Sequence, residues 1–304
     1  MKLATLRTGA TTRAVRLDGE SGESGESGES GQSGQSGEPG GAGGTLVDLG
    51  LPDVGAVLRQ DGWREFAAAA TGPAYPLAGA DFAPVVPAPS KVVCVGLNYR
   101  NHIQEMGRDL PEHPTLFAKF ADCLIGAGDD IVRPEETGQF DWEAELAVVV
   151  GRTVRRARGA EAAAAIAGFT VLNDITCRDW QFRTREWLQG KAWDSSTPVG
   201  PYLVTPDELP GGVRPALDIR LAVDGEVMQS DSTGDLLFDP VALVEYVSTM
   251  VRLNPGDLIA TGTPGGVGQA REPQRFLLGG ETVVTEIAGI GRLANRVVRE
   301  TSAR

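Results

Sequence analysis

The stretch that decides the fold is FDWEAELAVVVG, residues 140–151. Read with the two-residue period of a strand, it sets Trp142, Leu146, Val148 and Val150 on one face and Asp141, Glu143 and Glu145 on the other. Side chains two apart on one face stand roughly 6.5–7 Å from each other, so long carboxylates can converge on one ion. A wet edge strand would show the same face. Against that, acidic residues are poor strand formers, no basic residue interrupts them, and the adjoining AVVVG predicts a buried strand in which unpaired anions are costly. A cation would remove the conflict. The donors are hard oxygens and the chain has only two histidines, His102 and His113, so the expected ion is Mg²⁺ or Mn²⁺, with Ca²⁺ as a further candidate, rather than zinc.

Working outward, Asp174 closes the apolar strand pattern GFTVLND and offers a third carboxylate, although an isolated Asp after a strand is ordinarily a turn former. The segment RDWQFRTREWLQGKAWDSSTPVGP, residues 178–201, then brings Gln181 and Lys191 toward the same region. A lysine in the GKAWD loop could reach an anionic substrate. In GLNYRNHIQEMG, residues 96–107, His102 and Glu105 are three apart on a short helix or turn, where a carboxylate can orient an imidazole or share the activation of a water. GDLIATGTPGGVG, residues 256–268, ends a strand in a Gly-rich turn carrying Thr261 and Thr263, whose backbone allows close approach of an anion; the lysine of a nucleotide-binding loop is missing.

The whole chain bounds the possibilities. Its 304 residues, 41% hydrophobic and 23% charged, can bury one large domain or two unequal ones. A net charge of -13 argues against nucleic-acid or anionic-membrane partners and leaves small-molecule chemistry as the expectation. No apolar run approaches the roughly 20 residues of a bilayer span, and the first residues lack the apolar core of a signal peptide, so a cytoplasmic location is expected. Cys94, Cys123 and Cys177 are widely spaced and read as reduced, packed thiols. Residues 20–44 repeat a Ser-Gly-Glu unit with nothing to bury, which reads as a flexible insertion between strands. VGAVLRQDGWREFAAAA, residues 54–70, predicts one helix. The Pro- and Gly-rich run after it marks a boundary between a small N-terminal α/β domain (1–75), a linker (76–90) and a larger domain (91–304). Many short strand patterns with few helices predict a β-rich α+β fold, and no Gly-rich strand-to-helix turn supports a nicotinamide site.

The ordered motifs VGLNYRNHIQEMG, PTLFAKF, FDWEAELAVVVGR, GFTVLNDITCRDWQ, GKAWDSSTPVGPYLVT, DGEVMQSDSTGDLLF and LNPGDLIATGTPGGVG resemble the fumarylacetoacetate hydrolase superfamily over most of residues 91–297. The resemblance implies a mixed, partly rolled β catalytic domain with a small N-terminal domain, usually in a homodimer. It implies Glu143, Glu145 and Asp174 as ligands of Mg²⁺ or Mn²⁺, with Asp141 in support. His102 and Glu105 become a water-activating dyad, Lys191 a catalytic cation, and Gln181, Thr263 and Lys119 substrate contacts. The implied substrate is a small 2-oxo or 1,3-dicarbonyl acid. The dyad ranks C–C hydrolysis of an acylpyruvate or fumarylpyruvate first, through an enolate that the cation holds; isomerisation, hydration or decarboxylation of an unsaturated 2-oxo diacid is the alternative. Arg108, Arg183 and Arg185 could meet a second carboxylate, with exposed arginines as the plainer expectation. A catalytically idle binding protein of the same fold is the competing class.

Overall fold

The computed structural model describes residues 1–19, 43–105, 107 and 109–301, apart from the side chains of His102 and Glu105; most of the Ser-Gly-Glu repeat and Arg108 lie outside the described residues. Two sheets dominate. The larger has 11 strands, and at its centre Ala144–Val150 pairs antiparallel with Ile166–Asn173, which pairs in turn with Thr197–Val204. All three strands are buried along their whole length. Their Val-, Ile- and Leu-rich runs suit that position, since a strand covered on both faces needs no polar alternation. The N-terminal strand Lys2–Thr8 pairs with Thr197–Val204 and extends the same sheet, with Leu3 opposite Leu203. The second sheet has five strands, running Glu226–Ser232, Asp218–Val223, Thr282–Ile287, Gly291–Arg299, Ile131–Arg133.

Here alternation returns. Asp218 and Arg220 face water while Ile219, Leu221 and Val223 are buried. Those inward residues share one core with Leu146, Val148, Phe169 and Val171 of the large sheet, and the two sheets roll around it. On the other face of the large sheet, Ala147, Val149 and Leu258 pack with Val54, Val57 and Trp63. The fold is the β-rich α+β type expected, with the three thiols buried and free. Among the described residues no helix is long and apolar enough to cross a membrane.

One helix prediction needs correction. Residues 54–70 form two helices, Val54–Leu58, which closes at Arg59, and Trp63–Ala69, whose N-cap Gly62 takes a left-handed conformation (φ 64°) that breaks the run between them. A longer helix spans Pro240–Met250. Its cap, Asp239, accepts from the Val241 and Ala242 amides at 2.9 and 3.0 Å and from Arg214 Nε at 2.8 Å. Burial alone would raise this carboxyl, but the Ala242 amide and the Arg214 guanidinium outweigh it and hold it below its usual range. Asp239→Ala should cost about 1 kcal/mol, lowering the melting temperature by roughly 2–4 °C. The capping contribution is fully present above the ordinary carboxyl pKa and is lost as pH falls through the depressed folded value. The gap between wild type and variant, followed by thermal melts, should therefore stay constant near neutrality and close in acid.

Candidate active site

The opening stretch is not one continuous strand. Phe140–Asp141 pairs with Thr176–Cys177 in a separate ribbon, while Ala144–Val150 pairs with Ile166–Asn173. Between these pairings the chains are pinned at the crossing. The Glu143 amide donates to Asn173 Oδ1 at 2.9 Å, and the Asp174 amide donates to the Glu143 carbonyl at 2.8 Å. This sets Glu143 against Asp174, and Glu145 joins them from the first turn of the strand that follows. The three carboxylates are buried, with oxygens within 4.8 Å of one another. Asp141 leaves the group. It accepts from the Trp142, Gly268 and Gln269 amides and from Arg178 Nε, so it organises the neighbouring loop.

Three buried cations surround the carboxylates. Lys191 Nζ lies 2.6 Å from Glu143 and 2.8 Å from Asp174. Lys119 Nζ lies 2.5 Å from Asp174 and 2.9 Å from the Ile175 carbonyl. Arg178 Nη1 lies 2.7 Å from Glu143. Burial works against the Lys191 ammonium, yet Asp174 and Glu143 more than restore it and raise its pKa. Burial likewise works against the Asp174 carboxylate, and Lys119 and Lys191 reverse the effect and lower its pKa. Glu145 differs. Its partner is the Gly262 amide at 2.7 Å, and no ion pair reaches it among the described residues. Burial first, then Asp174 and Glu143, push its carboxyl well above the usual range.

Counting Asp141, four acidic groups face three basic ones, and Glu145 is the one left without a cationic partner among the described residues. A hard divalent cation would supply that partner. The triad of Glu143, Glu145 and Asp174 can hold one through oxygen alone.

A cavity of about 180 Å³ opens over the site, below the roughly 300–1,000 Å³ of drug-sized clefts. Glu143, Glu145, Gln181, Lys191 and Thr263, all singled out from the sequence, line it together with Arg178. Thr263 Oγ1 donates to the Ala144 carbonyl at 2.9 Å and accepts from Gln229 at 2.8 Å. Lys119, expected at the substrate, is not among the lining residues; its ammonium is committed to Asp174 and Ile175. Lys191, expected in a loop, ends the short helix Leu188–Lys191.

The turn at Leu97 (φ 57°) is held by Asn98, which donates to the Phe238 and Thr261 carbonyls at 3.0 and 2.7 Å. It leads into the helix Arg100–Glu105, which carries His102 and Glu105, whose side chains are outside the description. Asp179 binds Thr137 and Gly138, away from the triad.

Sequence reasoning missed Arg178. The available signal was a single basic residue inside NDITCRDW, straight after the third carboxylate. Burial and its bonds to Asp141 and Glu143 make it part of the site, and its Nη2 has no hydrogen-bond partner among the described residues. The aromatic lining, Phe117, Phe182 and Trp187, was missed as well.

The family profile described as fumarylacetoacetate (FAA) hydrolase, C-terminal, matches residues 91–298. The chain belongs to the fumarylacetoacetate hydrolase family. It is an enzyme of that family, similar to a mitochondrial oxaloacetate tautomerase of Rattus norvegicus, 42% identical over 76% of this chain and 74% of the relative. A 5-carboxymethyl-2-hydroxymuconate delta-isomerase from Mycobacterium smegmatis shares its structure with TM-score 0.75 and 31% identity, over 99% of this chain and 100% of the other. A maleylpyruvate hydrolase from Sphingobium sp. SYK-6 does so with TM-score 0.75 and 25% identity over the same shares. The expected cytoplasmic location is overturned by the rat relative, which is mitochondrial. An apolar leader is the mark of secretion and not of organelle import, because mitochondrial transit peptides are amphipathic and Arg-rich.

Proposed function

We propose that this fumarylacetoacetate hydrolase family enzyme interconverts the enol and keto forms of a small 2-oxo acid, with Mg²⁺ or Mn²⁺ held by Glu143, Glu145 and Asp174. The observation that carries this reading is the buried carboxylate triad, in which Glu145 has no cationic partner among the described residues, set beside Lys191 under a small cavity. The 42% identity to an oxaloacetate tautomerase supports it. A divalent cation bound there would act as a Lewis acid on the carboxylate and 2-oxo oxygens of the substrate.

The protein's own groups do the rest. Lys191 keeps its ammonium beside the oxygen on which enolate charge develops, and Arg178 Nη2 donates to the same end of the substrate. Gln181 and Thr263 orient the substrate. His102 and Glu105 exchange the proton at C3, so that the enol O–H bond breaks, a C3–H bond forms, and no atom is gained or lost. The division into a small N-terminal unit (1–75), a linker (76–90) and a catalytic unit (91–304), acting as a homodimer, belongs to the same proposal and rests on the family resemblance.

Proton NMR in D₂O tests the reaction type. Fresh enol-oxaloacetate should disappear faster with enzyme than without, leaving oxaloacetate deuterated at C3 and an intact four-carbon skeleton. Pyruvate formed at the rate of enol loss would count against the reading and for decarboxylation. The second reading is C–C hydrolysis of an acylpyruvate or fumarylpyruvate, favoured by the likeness to the maleylpyruvate hydrolase. There the His102 and Glu105 pair would activate a water, and two acids would appear for each acylpyruvate consumed.

A further inference from the structure

Resting on the reading of Glu143, Glu145 and Asp174 as a divalent-cation site, we infer that Gln229 is a positioning residue for that site. Its carboxamide, reaching in from the second sheet, fixes the backbone between Glu143 and Glu145 and so sets the spread of the two carboxylates. Ala144 is the residue between them. Its N–H donates to Gln229 Oε1 at 2.9 Å, and its carbonyl accepts from Thr263 Oγ1 at 2.9 Å. Gln229 Nε2 donates to Thr263 Oγ1 at 2.8 Å and closes a ring with Ala144. The same nitrogen reaches the Pro264 carbonyl at 2.9 Å.

The strand needs these side chains because its neighbour has ended. On this edge Ala144–Val150 pairs with Leu258–Ala260 from Val149 to Ala147, and the Thr261 amide carries the ladder on to the Leu146 carbonyl. The chain then turns at Gly262 (φ 101°), whose amide holds Glu145. The opposite edge is occupied, since the Glu143 amide and carbonyl bond Asn173 and Asp174. Alternation along the strand leaves Ala144 facing the edge that Leu258–Ala260 has vacated. A buried amide and carbonyl without partners would be costly there, and Gln229 and Thr263 stand in for the missing strand.

The position demands an amide. One side chain must accept from a backbone N–H while donating to a hydroxyl and a carbonyl, which an ionised glutamate and a methionine cannot do. Gln229 is buried and its backbone pairs with Leu221 inside the second sheet, so the carboxamide is held from behind. The loop it grips lies tight on the same strand: a Cβ at Gly266 would fall 2.1 Å from the Met228 carbonyl oxygen. Glu145 depends most on this support. Glu143 is also fixed by Lys191 and Arg178, whereas the Gly262 amide is the partner of Glu145.

Calorimetric titration of the full chain with Mn²⁺ tests this without turnover. Gln229→Met, close in volume and unable to make these bonds, should weaken Mn²⁺ binding by about 10–100-fold. Asn295→Leu controls for stability alone. Asn295, like Gln229 only 1% exposed, lies in the same sheet and donates to the Gly126 and Asp129 carbonyls, and none of these three residues lines the cavity. That variant should melt earlier than wild type yet keep its Mn²⁺ affinity within about twofold. Equal losses of affinity in the two variants, or none in folded Gln229→Met, would overturn the inference. Should Gln229→Met not fold, Thr263→Val breaks the same ring and should weaken Mn²⁺ binding by about tenfold; unchanged affinity there overturns the inference as well. Since either substitution opens one ring, the double variant should bind no more than about threefold more weakly than the worse single variant, and losses that multiply would contradict the ring. Wild type that binds no Mn²⁺ defeats the metal reading and this inference with it, whereas wild-type binding that Gln229→Met leaves intact defeats this inference alone.

Discussion

Asp174→Ala is expected to remove metal binding and destabilise the protein together. Asp174 is fully buried and accepts from both Lys119 and Lys191. Truncating it deletes one of the three carboxylates that could hold a metal and leaves two ammonium groups short of a partner. Breaking a buried pair from one side costs roughly 3–5 kcal/mol, so the melting temperature should fall on the order of 10 °C. Affinity for Mn²⁺ should fall by about 100-fold or more, since loss of a supporting group alone costs about 10–100-fold. Asp174→Asn keeps an oxygen acceptor and should recover part of the stability without recovering the metal. Differential scanning calorimetry and Mn²⁺ titration on the same preparations separate the two effects; unchanged Mn²⁺ affinity in a folded Asp174→Ala would remove it from the ligand set.

Arg178→Met should lower kcat/KM by about 10²–10³-fold while leaving the protein folded, the range seen when one preorganised donor is lost. The guanidinium works in several directions at once. Nε is 2.8 Å from Asp141, and Nη1 is 2.7 Å from Glu143 and 3.1 Å from Gln181. Asp141 keeps three backbone amides in the variant, so the loop at Gly268 should stay in place. Arg178→Lys should not restore activity, because a single ammonium cannot span those partners as a planar fork does. Activity within about twofold of wild type in Arg178→Lys, measured by steady-state kinetics, would show that charge alone suffices there.

The central strands and the acidic triad were legible in the sequence because local signals decide them. Runs such as LAVVV and FTVL suit only a doubly covered strand, and carboxylates beside such a run call for compensation. The break at Trp142 and Glu143 was not legible. The two-residue period continues straight through it, and only the pairing of Asp141 with Thr176 reveals that Asp141 has turned away. Lys119 and Arg178 were misjudged or missed for a related reason: both lie far in sequence from the acids they bind, at separations of 55 residues for Asp174 and 37 for Asp141. The split at Gly62 was hidden by the helix formers on either side of it. The aromatic lining of Phe117, Phe182 and Trp187 needed separate segments to meet, which no single window shows.

The claim that Glu143, Glu145 and Asp174 hold a divalent cation required for enol–keto exchange has one direct measurement. Protein stripped with EDTA is given back Mn²⁺ in steps while the decay of enol-oxaloacetate is followed by absorbance. The predicted result is a stripped rate equal to that of buffer, recovery complete near about one equivalent of Mn²⁺ per chain, and little recovery in Glu145→Gln. Full activity in the stripped protein, or full recovery in Glu145→Gln, would contradict it.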